Sequence, residues 1–98
     1  MRRVQCEWDD GEAILNLRKH GVDFLDAIGA LEDADRLEDI DPEVELGEER
    51  VRIIGMTQGC VLSIVVTLRD EDTCRIISAR KATRDEEDRY YAGDREAW

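Results

Sequence analysis

Hydrophobic and polar positions change period along this chain of 98 residues, and the changes mark its elements. Residues 3–8 alternate, with Val4, Cys6 and Trp8 against Arg3, Gln5 and Glu7, the period of a short strand. From residue 9 the period becomes helical. Asp9 or Asp10 serves as N-cap, and Ala13, Ile14, Leu17 and Arg18 recur at turn spacing. Lys19 and His20 suit the negative end of the helix dipole, and Gly21 supplies the stop. A second helix is expected over 22–31, capped by Asp23, with Phe24, Ala27, Ile28 and Leu31 on one face. Gly29 weakens it by about 1 kcal/mol relative to alanine and suits close packing. Residues 37–41, with alternating acids before Pro42, read as an edge strand.

Three long strands follow. Residues 50–57 place Val51 and Ile53 on one face and Arg50, Arg52, Ile54 and Met56 on the other. Gln58-Gly59 is a tight-turn pair, and residues 61–68 are nearly all apolar, as a central strand requires. A polar turn over 70–72 leads to a strand over 74–81. Thr83 caps a last helix, Glu86 completes a capping box, and Gly93 ends the helix after about Ala92. Short polar turns join antiparallel neighbours, and the two early helices have only a sheet face to cover. The expected fold is therefore α+β: a small antiparallel sheet, two N-terminal helices on one face and a C-terminal helix, in one domain over residues 1–98.

Charge alters this picture at two places. The formal net charge is −11, yet residues 32–49 alone hold ten acids and one base. A low pI disfavours non-specific nucleic-acid binding, but it leaves room for a local anion site. Residues 75–84 carry Arg75, Arg80, Lys81 and Arg84 and no acid. Such a cationic strand-to-helix junction reads either as an anion site or as solvated charge. No apolar run approaches the roughly 18 residues of a membrane span, and the N-terminus lacks the apolar region of a secretory signal. Three separated cysteines and one histidine argue against a disulfide framework or a zinc site, and suit a cytoplasmic protein.

The segments EWD at 7–9, NLRKHGVDF at 16–24, EER at 48–50, TLR at 67–69 and ISARKAT at 77–83, followed by Arg84, Glu86 and Tyr90, run through nearly the whole chain in order. Together they resemble the BrnT-type toxins of bacterial toxin–antitoxin pairs. The resemblance implies a compact fold of the RelE-like kind and a metal-independent endoribonuclease that cleaves mRNA and inhibits translation without a cofactor. It further implies a small antitoxin partner with a ribbon-helix-helix part, operator DNA reached only through that antitoxin, and no membrane. One position departs from the pattern. The residue three after the aspartate of the WD pair is commonly lysine in the family, and here it is Glu12. That exchange keeps a second expectation open: a catalytically weak, toxin-like module that binds its antitoxin and tunes repression.

Metal-free RNA cleavage needs a base for the 2′-hydroxyl, an acid for the leaving 5′-oxygen, and cations for the charge gathering on phosphorus. Arg80 is the first choice for the phosphate, with Lys81 or Arg84 as second cation. Alternation puts Arg80 and Lys81 on opposite faces, so one of them points into the site. His20 is the acid–base candidate, since histidine is the residue type that titrates near neutrality, or it simply ends a helix. Lys19 reaches phosphate or suits the dipole. Glu49 and Arg50 belong to the site or form a structural ion pair. Tyr90 stacks an unpaired base or packs its helix on the sheet.

Overall fold

The computed structural model describes residues 5–40, 50–68 and 72–93. In chain order these form β1 (Gln5–Glu7), α1 (Asp10–His20), α2 (Phe24–Leu31), β2 (Leu37–Ile40), β3 (Arg50–Thr57), β4 (Cys60–Leu68), β5 (Thr73–Lys81) and α3 (Arg84–Ala92). The strands make one sheet in the order β1-β5-β4-β3-β2. The fold is α+β. The β2–β3, β3–β4 and β4–β5 pairs are antiparallel, but β1 lies parallel to β5, in the register Gln5↔Thr73, Cys6↔Cys74, Glu7↔Arg75. The expected all-antiparallel sheet is corrected at that edge, because α1 and the rest of the chain intervene between β1 and β5 and remove any hairpin constraint.

The local signals act as the sequence predicts. Asp9 accepts from the Glu12 N–H and Asp23 from the Leu25 N–H, and Thr83 with Glu86 forms a full capping box. Gln58 and Gly59 both adopt positive φ, 50° and 78°, which is the twist a two-residue hairpin demands. The 70–72 turn and the end of the 37–41 strand fall partly outside the described residues.

Two apolar layers flank the sheet. On one face α1 and α2 cover Ile53, Leu62, Ile64, Val66, Cys74, Ile76 and Ala79, with Phe24, Ala27 and Ala30 fully buried among them. Trp8 packs at the rim, its ring edge-on to Phe24 with centroids 6.1 Å apart. The helix α2 lies very close to β3. A Cβ built on Gly29 would come 2.3 Å from Thr57 Oγ1, and one on Gly55 would come 2.2 Å from the Ala30 carbonyl oxygen. On the other face Leu37, Ile54 and Val61 bury Tyr90 of α3. The α1 face differs from expectation. Ile14 and Leu17 are about half exposed, at 54% and 47%, and the buried position is Asn16. Its amide is fully engaged with backbone, so a polar residue fills the place that the pattern assigns to an apolar one.

Candidate active site

The site begins with an irregularity in β5. Val66 pairs with Ile76, but Val65 pairs with Ser78, so Ile77 is an extra residue opposite that step. An unbroken alternation would put Arg80 on the same face as Ile76, under α1 and α2. The bulge inverts the parity: Ile76 and Ala79 both meet the helical core, while Ser78 and Arg80 turn to the α3 face. Arg80 therefore stands opposite Ser63, its pairing partner on β4.

There it meets α3. Arg80 Nη1 and Nη2 donate to the two carboxylate oxygens of Glu86 at 2.8 and 3.1 Å, a two-point fork. Glu86 is the same residue that closes the capping box, accepting from the Thr83 N–H at 2.8 Å. From β3, Arg52 Nη1 donates to Ser63 Oγ at 2.6 Å, and Ser63 Oγ lies 3.5 Å from Glu86 Oε2. Two guanidiniums thus surround one carboxylate and one hydroxyl, and Asp39 is the cross-strand partner of Arg52 on β2. Burial pushes the Glu86 carboxyl up, but the Arg80 and Thr83 hydrogen bonds and the charges of Arg80 and Arg52 hold it below the usual glutamate range. The Arg80 side chain remains one-third exposed, at 33%, against 14% for Glu86. Arg80 Nη1 also donates to the Lys81 carbonyl at 3.1 Å.

The other candidates do not gather at this cluster. Lys81 is exposed and, being paired with Leu62, belongs to the helical side of the sheet, so Arg80 and Lys81 do point to opposite faces. Arg84 is exposed in the first turn of α3, and it is Arg52 that supplies the second guanidinium. Lys19 and His20 end α1, on the helical side; Lys19 is exposed and His20 half-buried. Arg50 is half-buried at the start of β3, and Glu49 lies outside the described residues. Tyr90 is buried and donates its hydroxyl to Asp33 Oδ2. Of the two expectations for Tyr90, its burial fits the packing of α3 on the sheet, and Tyr91, 65% exposed and edge-on to it at 5.4 Å, is the open ring of the pair. Sequence reasoning missed Arg52 and Ser63. For Arg52 the signal was the alternation that set it opposite Val51 and Ile53, but nothing in the sequence showed that α3 would lie over that face.

The described residues contain no group of three or more His, Cys, Asp or Glu side chains placed to hold a metal, and none of their helices is long and apolar enough to cross a membrane.

The fold is thus a small mixed sheet with helices on both faces, with an arginine–carboxylate cluster at the strand-to-helix junction. The chain belongs to the family of BrnT ribonuclease toxins of type II toxin–antitoxin systems, whose model matches residues 8–86. Its fold is similar to that of the Brucella abortus ribonuclease toxin BrnT, known from a 1.1 Å crystal structure. The two are 22% identical, with a TM-score of 0.58 over 86% of this chain and 100% of that one. No curated protein matches the chain. Membership in a type II toxin family implies a protein antitoxin as partner.

Proposed function

We propose that this toxin is a metal-independent endoribonuclease whose phosphate site is built on Arg80 and Arg52, and that it inhibits translation by cutting mRNA. The observation that carries the reading is the position of Arg80: forked onto Glu86, beside Arg52 and Ser63, yet one-third open to solvent. In the reaction a 2′-oxygen attacks the adjacent phosphorus, the bond to the 5′-oxygen breaks, and a cyclic phosphate is left. The two guanidiniums stabilise the charge that builds on the non-bridging oxygens. Glu86 holds the Arg80 fork in place and, ionised at neutral pH, is a candidate acceptor for the 2′-hydroxyl proton. On the helical face, away from this cluster, His20 is a further acid–base candidate and Lys19 and Lys81 are further phosphate contacts; Glu49, Arg50 and Arg84 complete the candidate set. A small antitoxin with a ribbon-helix-helix part sequesters the toxin and brings it to operator DNA, all within the cytoplasm.

A second reading has its own support. Glu86 already occupies both donors of Arg80 that face it, so an incoming phosphate must share or displace it. A catalytically weak toxin that chiefly binds its antitoxin would tolerate such a pairing, and Glu12 in place of the family's lysine points the same way. Cleavage of a defined single-stranded RNA in EDTA, with Arg80→Ala alongside, separates the readings. Cutting by the wild type alone supports the nuclease. No cutting by either, with tight antitoxin binding retained, supports the binding module.

A further inference from the structure

The pairing of β1 with β5 brings together two cysteines that the sequence holds far apart. Cys6 and Cys74 are direct partners in the parallel register, and the Cys74 thiol donates to Cys6 Sγ at 3.8 Å. Neighbouring strands run about 4.8 Å apart, inside the Cα separations that a disulfide spans. Both thiols are free. The remaining gap closes by side-chain rotation and a small shift of β1, which is three residues long and paired on β5 alone.

The two sulfurs are unequal. Cys6 is half-buried at the rim of the core, whereas Cys74 is 5% exposed. The hydrogen bond from Cys74 favours the Cys6 thiolate and lowers its pKa, against burial and the Glu32 charge. The same bond, together with burial, raises Cys74. A partly exposed thiolate beside a buried thiol is the division of labour in thiol–disulfide exchange, one sulfur attacking and the other resolving.

We propose that Cys6 and Cys74 form a thiol–disulfide exchange site that takes a small-molecule disulfide of the glutathione class. The Cys6 thiolate attacks one sulfur of the incoming disulfide, forming a mixed disulfide and expelling one small thiolate. Cys74 then gives up its proton and attacks Cys6 Sγ, forming the Cys6–Cys74 bond and expelling the second small thiolate. Two protein thiols are oxidised and one small disulfide is reduced to two thiols. The product ties β1 to the strand whose far end carries Arg80. Cys60 stands apart from this chemistry. It opens β4, whose other end pairs with Cys74, about 27 Å away along the strand at the usual rise.

The test is to incubate the folded protein with oxidised glutathione, quench in acid, alkylate the remaining thiols and map the peptides by mass spectrometry. The expected product has lost the mass of two hydrogens, carries one alkylated thiol at Cys60, and yields a linked Cys6–Cys74 peptide. In Cys74→Ser the reaction stops at the mixed disulfide, with glutathione on Cys6. In Cys6→Ser no intramolecular bond forms. Retention of three alkylatable thiols in the wild type, or capture confined to Cys60, overturns the proposal. The wild-type peptide map decides the matter by itself if either serine variant fails to fold.

Discussion

The Asn16 side chain bonds both backbone groups of Ala79: Nδ2 donates to its carbonyl at 2.8 Å, and Oδ1 accepts from its N–H at 3.1 Å. Nδ2 also donates to the Val22 carbonyl at 3.0 Å. The strand β1 pairs with β5 only as far as Arg75, so among the described residues no strand lies beside the outer edge of β5 near Ala79. The Asn16 amide, chemically a peptide group, continues the ladder where β1 stops. One side chain thus fixes α1 to β5 at the residue before Arg80, and fixes the turn that leads into α2.

Asn16→Ala should therefore be costly for its size. It leaves buried backbone groups of Ala79 and Val22 without their partners, each loss costing on the order of 1–3 kcal/mol. A drop of about 2–4 kcal/mol is expected from the urea midpoint. Asn16→Leu, which the helical pattern alone would favour, should do no better. A leucine variant as stable as the wild type would show that the amide bonds are not what seats α1.

The second cation can be tested by exchange. Arg52→Ala should lower RNA cleavage on the order of 10²-fold or more, as loss of a group facing transition-state charge does. Arg52→Lys should recover little, because lysine offers a point charge in place of the planar donor fork. Single-turnover rates on a short RNA give the comparison. Arg84→Ala, removing the cation that sequence alone proposed, should change the rate by less than either. A larger loss in Arg84→Ala would move the second phosphate contact to the start of α3.

Much of this architecture was legible in the residues. The caps at Asp9, Asp23 and Thr83, the Gln58-Gly59 turn and the apolar 61–68 strand are local signals, and local physics decided them. What stayed hidden was set by contacts distant in sequence. Asn16 in the buried face of α1 makes sense only when Ala79 is beside it. The partner of Arg80 was visible as the capping glutamate, but its second role depends on α3 turning back over the sheet. The bulge at Ile77 has no mark in the sequence, and the face on which Arg80 emerges depends on it. The pairing of Cys6 with Cys74 required knowing that the first strand lies at the β5 edge.

Close approach of α2 to β3 sets another test. Any Cβ at Gly29 meets Thr57 Oγ1 at 2.3 Å and its Cβ at 3.1 Å, so Gly29→Ala must push the helix away or twist the threonine off its rotamer. The gain in helix propensity is at most about 1 kcal/mol, and overpacking costs about 1–3 kcal/mol. Net destabilisation is expected. Thr57→Ala removes the nearer atom, so the two substitutions together should cost less than their sum, by an interaction energy of about 1 kcal/mol. Strict additivity in the double-mutant cycle would mean that helix and strand separate freely.

The clasp between Asp33 and Tyr90 predicts how stability depends on pH. Asp33 Oδ2 accepts from the Tyr90 hydroxyl and from the Met56 N–H at 2.8 Å, joining the end of α2, β3 and α3. Burial pushes the Asp33 carboxyl up, but the Tyr90 hydroxyl, the Met56 and Asp35 N–H groups and the Arg36 charge outweigh it and hold it below the usual aspartate range. A carboxylate lowered by folding stabilises fully above its unfolded value, about pH 4, and loses that contribution as the pH falls through the folded value. Tyr90 behaves oppositely. Burial, the bond to Asp33 and nearby negative charge push it up to about 12. Its stabilisation is complete below the unfolded value, about pH 10, and is lost as the pH rises through the folded one. The urea midpoint should therefore decline at both ends of the scale. Tyr90→Phe should abolish the tyrosine's share of the alkaline decline while lowering stability at neutral pH by about 1 kcal/mol or more. In Asp33→Asn the acid limb should be shallower, and the alkaline decline, which still begins near the unfolded tyrosine value, should be smaller and end at lower pH, because the tyrosine no longer faces a negative charge. An alkaline limb unchanged in Tyr90→Phe would assign it to other groups and leave the clasp without a part in it.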